Sequence, residues 1–115
     1  MKIIYAEDDD ATRIITEEVL LSIYGKGSVV TVKSGEALLE KAKDAYYDII
    51  LTDNQMRPGG LTGIDVVKQL RNLGITIRIV VYSADNVKDA ALKAGANEFF
   101  LKSGFAKRLV NNNGL

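Results

Sequence analysis

Apolar residues concentrate in five short runs, which are separated by longer stretches of mixed polarity. The runs are rich in Ile, Val, Tyr and Phe, and the central ones, at residues 49–51 and 79–81, do not alternate with polar residues. Strands that are buried on both faces of a parallel sheet show this pattern. We therefore predict five strands, at residues 2–6, 28–32, 48–52, 75–82 and 97–101.

The stretches between the runs have the spacing of amphipathic helices. Apolar positions within 87–94 fall at i, i+3, i+4 and i+7, and Ile15, Val19 and Ile23 predict the buried face of the first helix. Residues that favour helix ends bracket these stretches. We predict five helices, at residues 10–24, 34–45, 62–73, 85–94 and 104–111.

The predicted ends of the helices have specific chemical reasons. Ser34, Thr62 and Asp85 can each cap the amino end of a helix, and Thr62 with Asp65 has the spacing of a capping box. Glycines follow three of the helices, where a residue that tolerates positive φ is favoured. We expect the segment 111–114 to be a frayed end.

Strict alternation of strands and helices with short gaps predicts an α/β fold. Parallel strands joined by right-handed crossovers form a doubly wound sheet with helices on both faces. In such open sheets the functional site lies beyond the carboxyl ends of the strands, where the direction of winding reverses. The candidate site residues are therefore the polar residues that follow the carboxyl ends of the predicted strands.

Length and composition narrow the possible chemistry. The 115 residues are 47% apolar and 26% charged, which fits one globular domain spanning residues 1–115. Fifteen basic and fifteen acidic residues cancel, so no overall field favours direct nucleic-acid or membrane binding. The absence of Cys and His excludes disulfides, thiolate nucleophiles, Ser-His triads and Cys/His zinc sites. We expect a cytoplasmic protein, since acids interrupt the amino-terminal apolar run.

Polar residues follow four of the predicted strands: Glu7 and Asp8 the first, Asp53 the third, Ser83 the fourth and Lys102 the fifth. Each alone has a simpler explanation as a helix cap, a turn residue or a solvated side chain. If the first and third strands are neighbours, however, three carboxylates crowd together and require positive charge nearby. Lys102 supplies one charge, and a hard cation with oxygen ligands such as Mg²⁺ supplies the rest.

A carboxylate beside Mg²⁺ and a lysine suits phosphoryl chemistry. The carboxylate acts as nucleophile and forms an acyl phosphate, while the metal and the lysine neutralise charge on the phosphoryl oxygens. The Ser83 hydroxyl can donate a hydrogen bond to one of those oxygens. The arrangement therefore predicts that this edge of the sheet handles a phosphoryl group.

These residues resemble the receiver domain of two-component response regulators over nearly the whole chain. The resemblance implies the flavodoxin-like strand order 2-1-3-4-5. The positions that carry the resemblance are Glu7-Asp8, Arg13, Asp53 with Met56 three residues on, Ser83-Ala84, Phe99 and Lys102.

The resemblance also implies a role for each site residue. Asp53 would accept a phosphoryl group from a phosphohistidine on a histidine kinase or a histidine phosphotransfer protein. Asp8, Asp53 and the Gln55 carbonyl would bind Mg²⁺, with Glu7 contributing directly or through water. Lys102 would bind the phosphoryl group.

Ser83 would bind the phosphoryl group together with Lys102, and the movement of Ser83 would draw the switch aromatic Phe99 inward. The face made by the fourth helix, fifth strand and fifth helix would then change its affinity for a downstream target protein. Such a domain is not an enzyme beyond self-catalysed phosphotransfer and slow autodephosphorylation. It would be a monomer or a weak phosphorylation-dependent dimer, and we expect no output domain within 1–115.

Three departures from the family pattern stand out. The loop after Asp53 is about two residues longer than usual. Ser103 replaces the proline that follows the family's lysine in a cis bond, so we expect either a strained bond or a rearranged trans loop relieved by Gly104. Phe99 replaces the common tyrosine and carries no hydroxyl.

Two alternative functions remain open from the sequence. One is a receiver-like binding module that is never phosphorylated. The other starts from the segment 8–12, Asp-Asp-Asp-Ala-Thr, which looks like the nucleophile motif of haloacid-dehalogenase-type phosphatases and would make Asp8 the nucleophile. Its glycine is replaced by Ala11, and no acidic pair follows the fourth strand.

Overall fold

The structure is a computed structural model that describes residues 1–115. Five parallel strands form one sheet in the order β2-β1-β3-β4-β5, which confirms the predicted fold and strand order. In chain order the elements are β1 Ile3–Ala6, α1 Asp10–Tyr24, β2 Val29–Val32, α2 Gly35–Asp44, β3 Ile49–Asp53, α3 Gly63–Asn72, β4 Arg78–Ser83, α4 Lys88–Ala94, β5 Glu98–Leu101 and α5 Phe105–Asn111.

Helices cover both faces of the sheet and create two apolar layers. Helices α2, α3 and α4 pack on one face, with Leu38, Val66 and Ala91 in the core between helices and sheet. Helices α1 and α5 pack on the other face through Leu20 and Leu109. Strands β1 and β3 are buried along their whole length, as the apolar runs at residues 3–6 and 49–51 predict, and the burial extends to Thr52 and Asp53. No helix has both the length and the hydropathy that a membrane span requires.

The pairing of the strands brings the predicted site residues to one edge. Ala6 at the end of β1 is opposite Thr52 of β3, and Asp53 is opposite Tyr82 of β4. Ser83 at the end of β4 is opposite Leu101 at the end of β5. Because all strands are parallel, the residues that follow them converge on the same side of the molecule.

The predicted buried face of α1 is partly wrong. Ile15 is 57% exposed, whereas Arg13, Thr16 and Leu20 point inward. Arg13 donates a hydrogen bond from Nη1 to the Glu7 carbonyl oxygen, at 3.3 Å. Val19 and Ile23 do pack against the core, as predicted, but the polar Arg13 and Thr16 share that face in place of Ile15.

Thr62 caps α3 in a full capping box with Asp65, and Ser34 caps α2, as predicted. Asp85, by contrast, does not begin α4, which starts at Lys88 without a side-chain cap. The Asp85 carboxylate instead accepts a hydrogen bond from the Gln55 side chain, at 2.7 Å. A contact with a distant loop therefore replaces the local cap.

Strand β4 begins at Arg78, three residues later than predicted, because Arg71 binds the preceding backbone. Its Nη1 donates to the carbonyl oxygens of Ile75 and Ile77, each at 2.8 Å. The segment before β4 is thereby held in hydrogen bonds other than those of the sheet.

The carboxyl-terminal segment is packed rather than frayed. Gly114 is buried, and its N–H donates to the Leu109 carbonyl oxygen at 2.9 Å. The Leu115 N–H donates to the Tyr24 hydroxyl at 2.7 Å. These contacts tie the end of the described chain to α1 and α5, which its polar sequence did not indicate.

Candidate functional site

Three carboxylates converge where β1 and β3 end. One oxygen from each of Glu7, Asp8 and Asp53 lies within 4.8 Å of the others. Glu7 and Asp53 are almost fully buried, while Asp8 is exposed at the mouth of the site. The convergence predicted from the sequence is therefore present in the structure.

Lys102 enters the cluster from the end of β5. Its Nζ lies 3.0 Å from Oε1 of Glu7 and 3.2 Å from Oδ2 of Asp53. The Lys102 backbone N–H donates to the Ser83 carbonyl oxygen at 2.8 Å, which fixes the base of the side chain next to β4. One ammonium group thus bridges the two buried acids that come from different strands.

The site concentrates more negative charge than Lys102 can neutralise. Three carboxylates and one ammonium leave an excess of two negative charges when all are ionised. Burial, followed by the charge of Glu7, raises the pKa of Asp53 to about 7, although Lys102 opposes the rise. Burial and Glu7 also raise the pKa of Asp8.

Glu7 is the acid that stays ionised. Burial favours its neutral form, but hydrogen bonds from the Tyr82 hydroxyl, the Asp9 N–H and Lys102 outweigh that effect and lower its pKa. Glu7 and Asp53 together raise the pKa of Lys102, although its partial burial acts in the opposite direction. Because the pKa of Asp53 is about 7, both the protonated and the ionised form of this carboxyl are accessible near neutral pH, and added positive charge nearby favours the ionised form.

Ser83, at the end of β4, and Gln55, in the loop that follows β3, are the other two predicted residues near Asp53. The buried Ser83 Oγ accepts a hydrogen bond from the Asp85 N–H at 3.2 Å. The Gln55 N–H donates to Oδ1 of Asp53 at 3.2 Å, while its side chain reaches Asp85. Both predicted residues lie at this edge, and the metal-binding role of the Gln55 carbonyl stays a prediction.

Phe99 lies in β5 and is half-buried. It packs against the apolar layer under α4. It also lines a cavity of about 300 Å³ with Lys88 of α4 and Arg108 of α5. Its position three residues before Lys102 is as predicted, and its role as a switch stays a prediction.

The turn after Lys102 contains only trans peptide bonds. Of the two expected geometries, the structure has the rearranged trans loop. Gly104 adopts φ 76°, a left-handed conformation that favours glycine, and α5 begins at the next residue.

Two contacts hold the carboxyl-terminal end of the long loop between β3 and α3, at Leu61 and at Gly63. Glu36 of α2 accepts a hydrogen bond from the Leu61 N–H at 2.9 Å. At Gly63 a Cβ would lie 2.5 Å from the Asp53 carbonyl oxygen, so only glycine fits there without movement. These contacts fix the backbone that carries Asp53.

Two tyrosines beneath the site were not identified from the sequence. The buried Tyr82 hydroxyl donates to Oε1 of Glu7, and the hydroxyls of Tyr5 and Tyr82 lie 2.6 Å apart. Both residues belong to apolar strands and were interpreted as core. For Tyr5 the available signal was that Glu7 lies two residues further on, just past the end of β1, so that both side chains can point to the same side of the sheet, where a buried hydroxyl requires a partner.

The donor set fits Mg²⁺. All the candidate ligands are oxygens. Hydrogen bonds from the Tyr82 hydroxyl and the Gln55 N–H hold the Glu7 and Asp53 carboxylates, and the exposed Asp8 leaves one side open to water. Mg²⁺ prefers oxygen ligands and retains several waters. A divalent cation also balances the excess of two negative charges.

The family model of the response regulator receiver domain matches residues 3–112. The chain therefore belongs to the receiver domain family, whose members are signalling domains of two-component systems that bind Mg²⁺ at an acidic pocket. This family supports the receiver prediction over the phosphatase alternative.

Curated relatives agree with the family. The chain is 29% identical over 107 residues to the two-component response regulator ORR41 of Oryza sativa subsp. japonica, covering 89% of this chain and 83% of that protein. It is 34% identical over 106 residues to the autoinducer 2 sensor kinase/phosphatase LuxQ of Vibrio parahaemolyticus, covering 89% of this chain. The chain spans only 12% of LuxQ.

Solved structures show the same fold. The receiver domain of the Francisella response regulator 1452 superposes with a TM-score of 0.79 at 25% identity, covering 97% of this chain and 92% of that one. The chemotaxis response regulator CheY4 of Vibrio cholerae superposes with a TM-score of 0.83 at 23% identity, covering 96% of this chain and 93% of that one.

Proposed function

We propose that this chain is a phosphoacceptor of a two-component system, with Asp53 as the residue that is phosphorylated. The observation that supports it best is the position of Lys102 between Glu7 and Asp53, in a cluster with an excess of negative charge. An ammonium group and a cation site beside one buried carboxylate are what an acyl phosphate requires.

Asp53 acts as the nucleophile toward a phosphohistidine on a histidine kinase or histidine phosphotransfer protein. An oxygen of its carboxylate forms the bond to phosphorus as the bond from phosphorus to the imidazole nitrogen breaks, and that nitrogen keeps the electron pair. Asp53 must be ionised for this step, and its pKa of about 7 makes the ionised form accessible near neutral pH. The chain has no His, so the donor must be another protein.

Asp8, Asp53 and the Gln55 carbonyl would hold Mg²⁺, with Glu7 contributing directly or through water, and the ion would supply positive charge for the phosphoryl oxygens. Lys102 moves from the carboxylates to one phosphoryl oxygen, and the Ser83 hydroxyl donates to another. Each of these groups already lies at the edge where Asp53 ends β3. The chain thereby catalyses its own modification, and its slow hydrolysis, without turning over a separate substrate.

The signal passes to a downstream protein through the face formed by α4, β5 and α5. The cavity beside Phe99 lies on this face and lets the ring change its depth when Ser83 moves. We further propose that residues 1–115 act as a single receiver domain in the cytoplasm, as a monomer or a weak dimer when phosphorylated.

Beryllium fluoride, which mimics the phosphoryl group, tests the proposal. We titrate it with Mg²⁺ into the wild type, Asp53→Asn and Asp8→Asn and follow backbone amide shifts by NMR. We expect a Mg²⁺-dependent response in the wild type that reaches Phe99 and α4 and disappears in Asp53→Asn.

Two other results would contradict the proposal. No response from the wild type would favour a binding module that is never phosphorylated. Loss of the response only in Asp8→Asn, together with hydrolysis of small phosphate esters by the wild type, would favour the phosphatase alternative.

A further inference from the structure

Tyr82 is buried directly beneath the acidic cluster. Its ring stacks on Phe105 of α5, with the centroids 4.9 Å apart, and the Lys102 Nζ lies 5.4 Å from its centroid. Its hydroxyl reaches Oε1 of Glu7. Tyr82 therefore donates a hydrogen bond to Glu7 and places its ring beneath the Lys102 ammonium group that contacts the same acid.

The direction of the hydrogen bonds follows from the chemistry of the groups. An ionised Glu7 carboxylate only accepts, so the single hydroxyl hydrogen of Tyr82 points to Glu7. The hydroxyl of Tyr5, 2.6 Å away, must then donate to the Tyr82 oxygen. Two tyrosines thus form a chain of donors that ends on Oε1 of Glu7.

The partners of Glu7 show why this donor matters. Oε2 accepts the Asp9 N–H at 3.1 Å, whereas Oε1 is shared by Tyr82 and Lys102. When Lys102 turns to a phosphoryl oxygen, Oε1 loses that partner. Tyr82 is then the only one of these two donors that remains on Oε1 of a fully buried carboxylate.

We propose that Tyr82 is a positioning residue of the phosphoryl site, which allows Lys102 to leave Glu7 because it continues to satisfy Oε1. The inference rests on the proposed function. Without the hydroxyl, the departure of Lys102 removes the last of these two hydrogen-bond donors from Oε1 of Glu7, whether or not Glu7 also contacts Mg²⁺, and this loss is unfavourable at a buried carboxylate. Lys102 then stays with Glu7 more often and binds the phosphoryl group less well.

The test compares Tyr82→Phe with Tyr5→Phe. Each variant loses one buried hydroxyl and keeps its ring, but only Tyr82→Phe loses the donor to Glu7. At saturating Mg²⁺ we expect beryllium fluoride, followed by ¹⁹F NMR, to bind about tenfold more weakly to Tyr82→Phe. Binding to Tyr5→Phe should stay within about twofold of the wild type, and urea unfolding confirms that both variants are folded.

A double-mutant cycle separates this role from a general structural one. In a Lys102→Ala background no ammonium leaves Glu7, so adding Tyr82→Phe should change beryllium fluoride binding by less than about twofold. An equal loss in both backgrounds would overturn the inference, as would a Tyr82→Phe variant that binds like the wild type.

The same measurements show which proposal fails. If the wild type and Asp53→Asn respond alike, the phosphoacceptor function is wrong and the role of Tyr82 falls with it. If the wild type binds in an Asp53-dependent way while Tyr82→Phe is unchanged, only the role of Tyr82 is wrong.

Discussion

Replacing Asp53 with asparagine should stabilise the ion-free protein at alkaline pH. The folded site raises the pKa of this carboxyl from 3.8 to about 7, so the folded chain holds a proton that the unfolded chain has lost. Folding therefore becomes less favourable as pH rises between these two values. The penalty is absent below about pH 4 and complete above about pH 8.

The size of the effect follows from the same shift. A pKa that moves from 3.8 to about 7 corresponds to roughly 4 kcal/mol at high pH. Asparagine also loses the contact with Lys102, but Lys102 keeps its contact with Glu7, at 3.0 Å. We therefore expect Asp53→Asn to raise the free energy of unfolding by about 2 kcal/mol at pH 8, after part of the gain is lost with this contact.

Urea unfolding with EDTA, at several pH values from 4 to 8, measures the difference in the free energy of unfolding between the wild type and Asp53→Asn. The advantage of Asp53→Asn should grow with pH and vanish near pH 4. Glu18→Gln, which alters an exposed acid on α1, serves as the control and should show no such trend. A difference that is independent of pH, or a destabilised Asp53→Asn at pH 8, would refute the reasoning.

Three further variants test other parts of the site. Lys102→Ala should still bind beryllium fluoride with Mg²⁺, but NMR should show a smaller shift at Phe99. An unchanged shift would contradict the proposal that Lys102 is needed to pass the change at Asp53 on to Phe99. Thr62→Ala removes the capping box and should lower the free energy of unfolding by about 1 kcal/mol in urea, without altering beryllium fluoride binding. Gly63→Ala places a Cβ 2.5 Å from the Asp53 carbonyl oxygen, so it should lower both stability, by about 1 to 3 kcal/mol, and beryllium fluoride affinity. If Thr62→Ala and Gly63→Ala bind beryllium fluoride with equal affinity, the contact at Gly63 does not position Asp53.

The strands and helices could be predicted from the sequence because their signals are local and repeated, whereas the strand order came from the resemblance to receiver domains. Unbroken apolar runs indicate buried parallel strands, and parallel strands place the residues that follow them at one edge. Glu7, Asp8, Asp53 and Lys102 could therefore be grouped before any distance was known. Their separation along the chain did not hide them, since each ends a strand or follows one within two residues.

Residues whose roles depend on distant partners could not be assigned in this way. Asp85 has the local signature of a helix cap, yet its carboxylate binds Gln55, thirty positions earlier in the chain. Ile15 has helical spacing with other apolar residues, yet it is exposed, whereas Arg13 is buried and reaches the Glu7 carbonyl oxygen.

Tyr82 shows the same limit within the site itself. In sequence it is one more large residue in an apolar strand, and nothing local distinguishes a core ring from a hydroxyl donor. Only the pairing of β3 with β4, which sets Asp53 opposite Tyr82, reveals that its hydroxyl can reach the acidic cluster.

The most direct measurement of the central claim is the intact mass of the protein after incubation with Mg²⁺ and acetyl phosphate, a small phosphoryl donor. We predict that one phosphoryl group is added to the wild type and to Asp9→Asn, whose exposed carboxylate caps α1. None should be added to Asp53→Asn, or to the wild type with EDTA. A phosphoryl group on Asp53→Asn, or none on the wild type, would contradict the account.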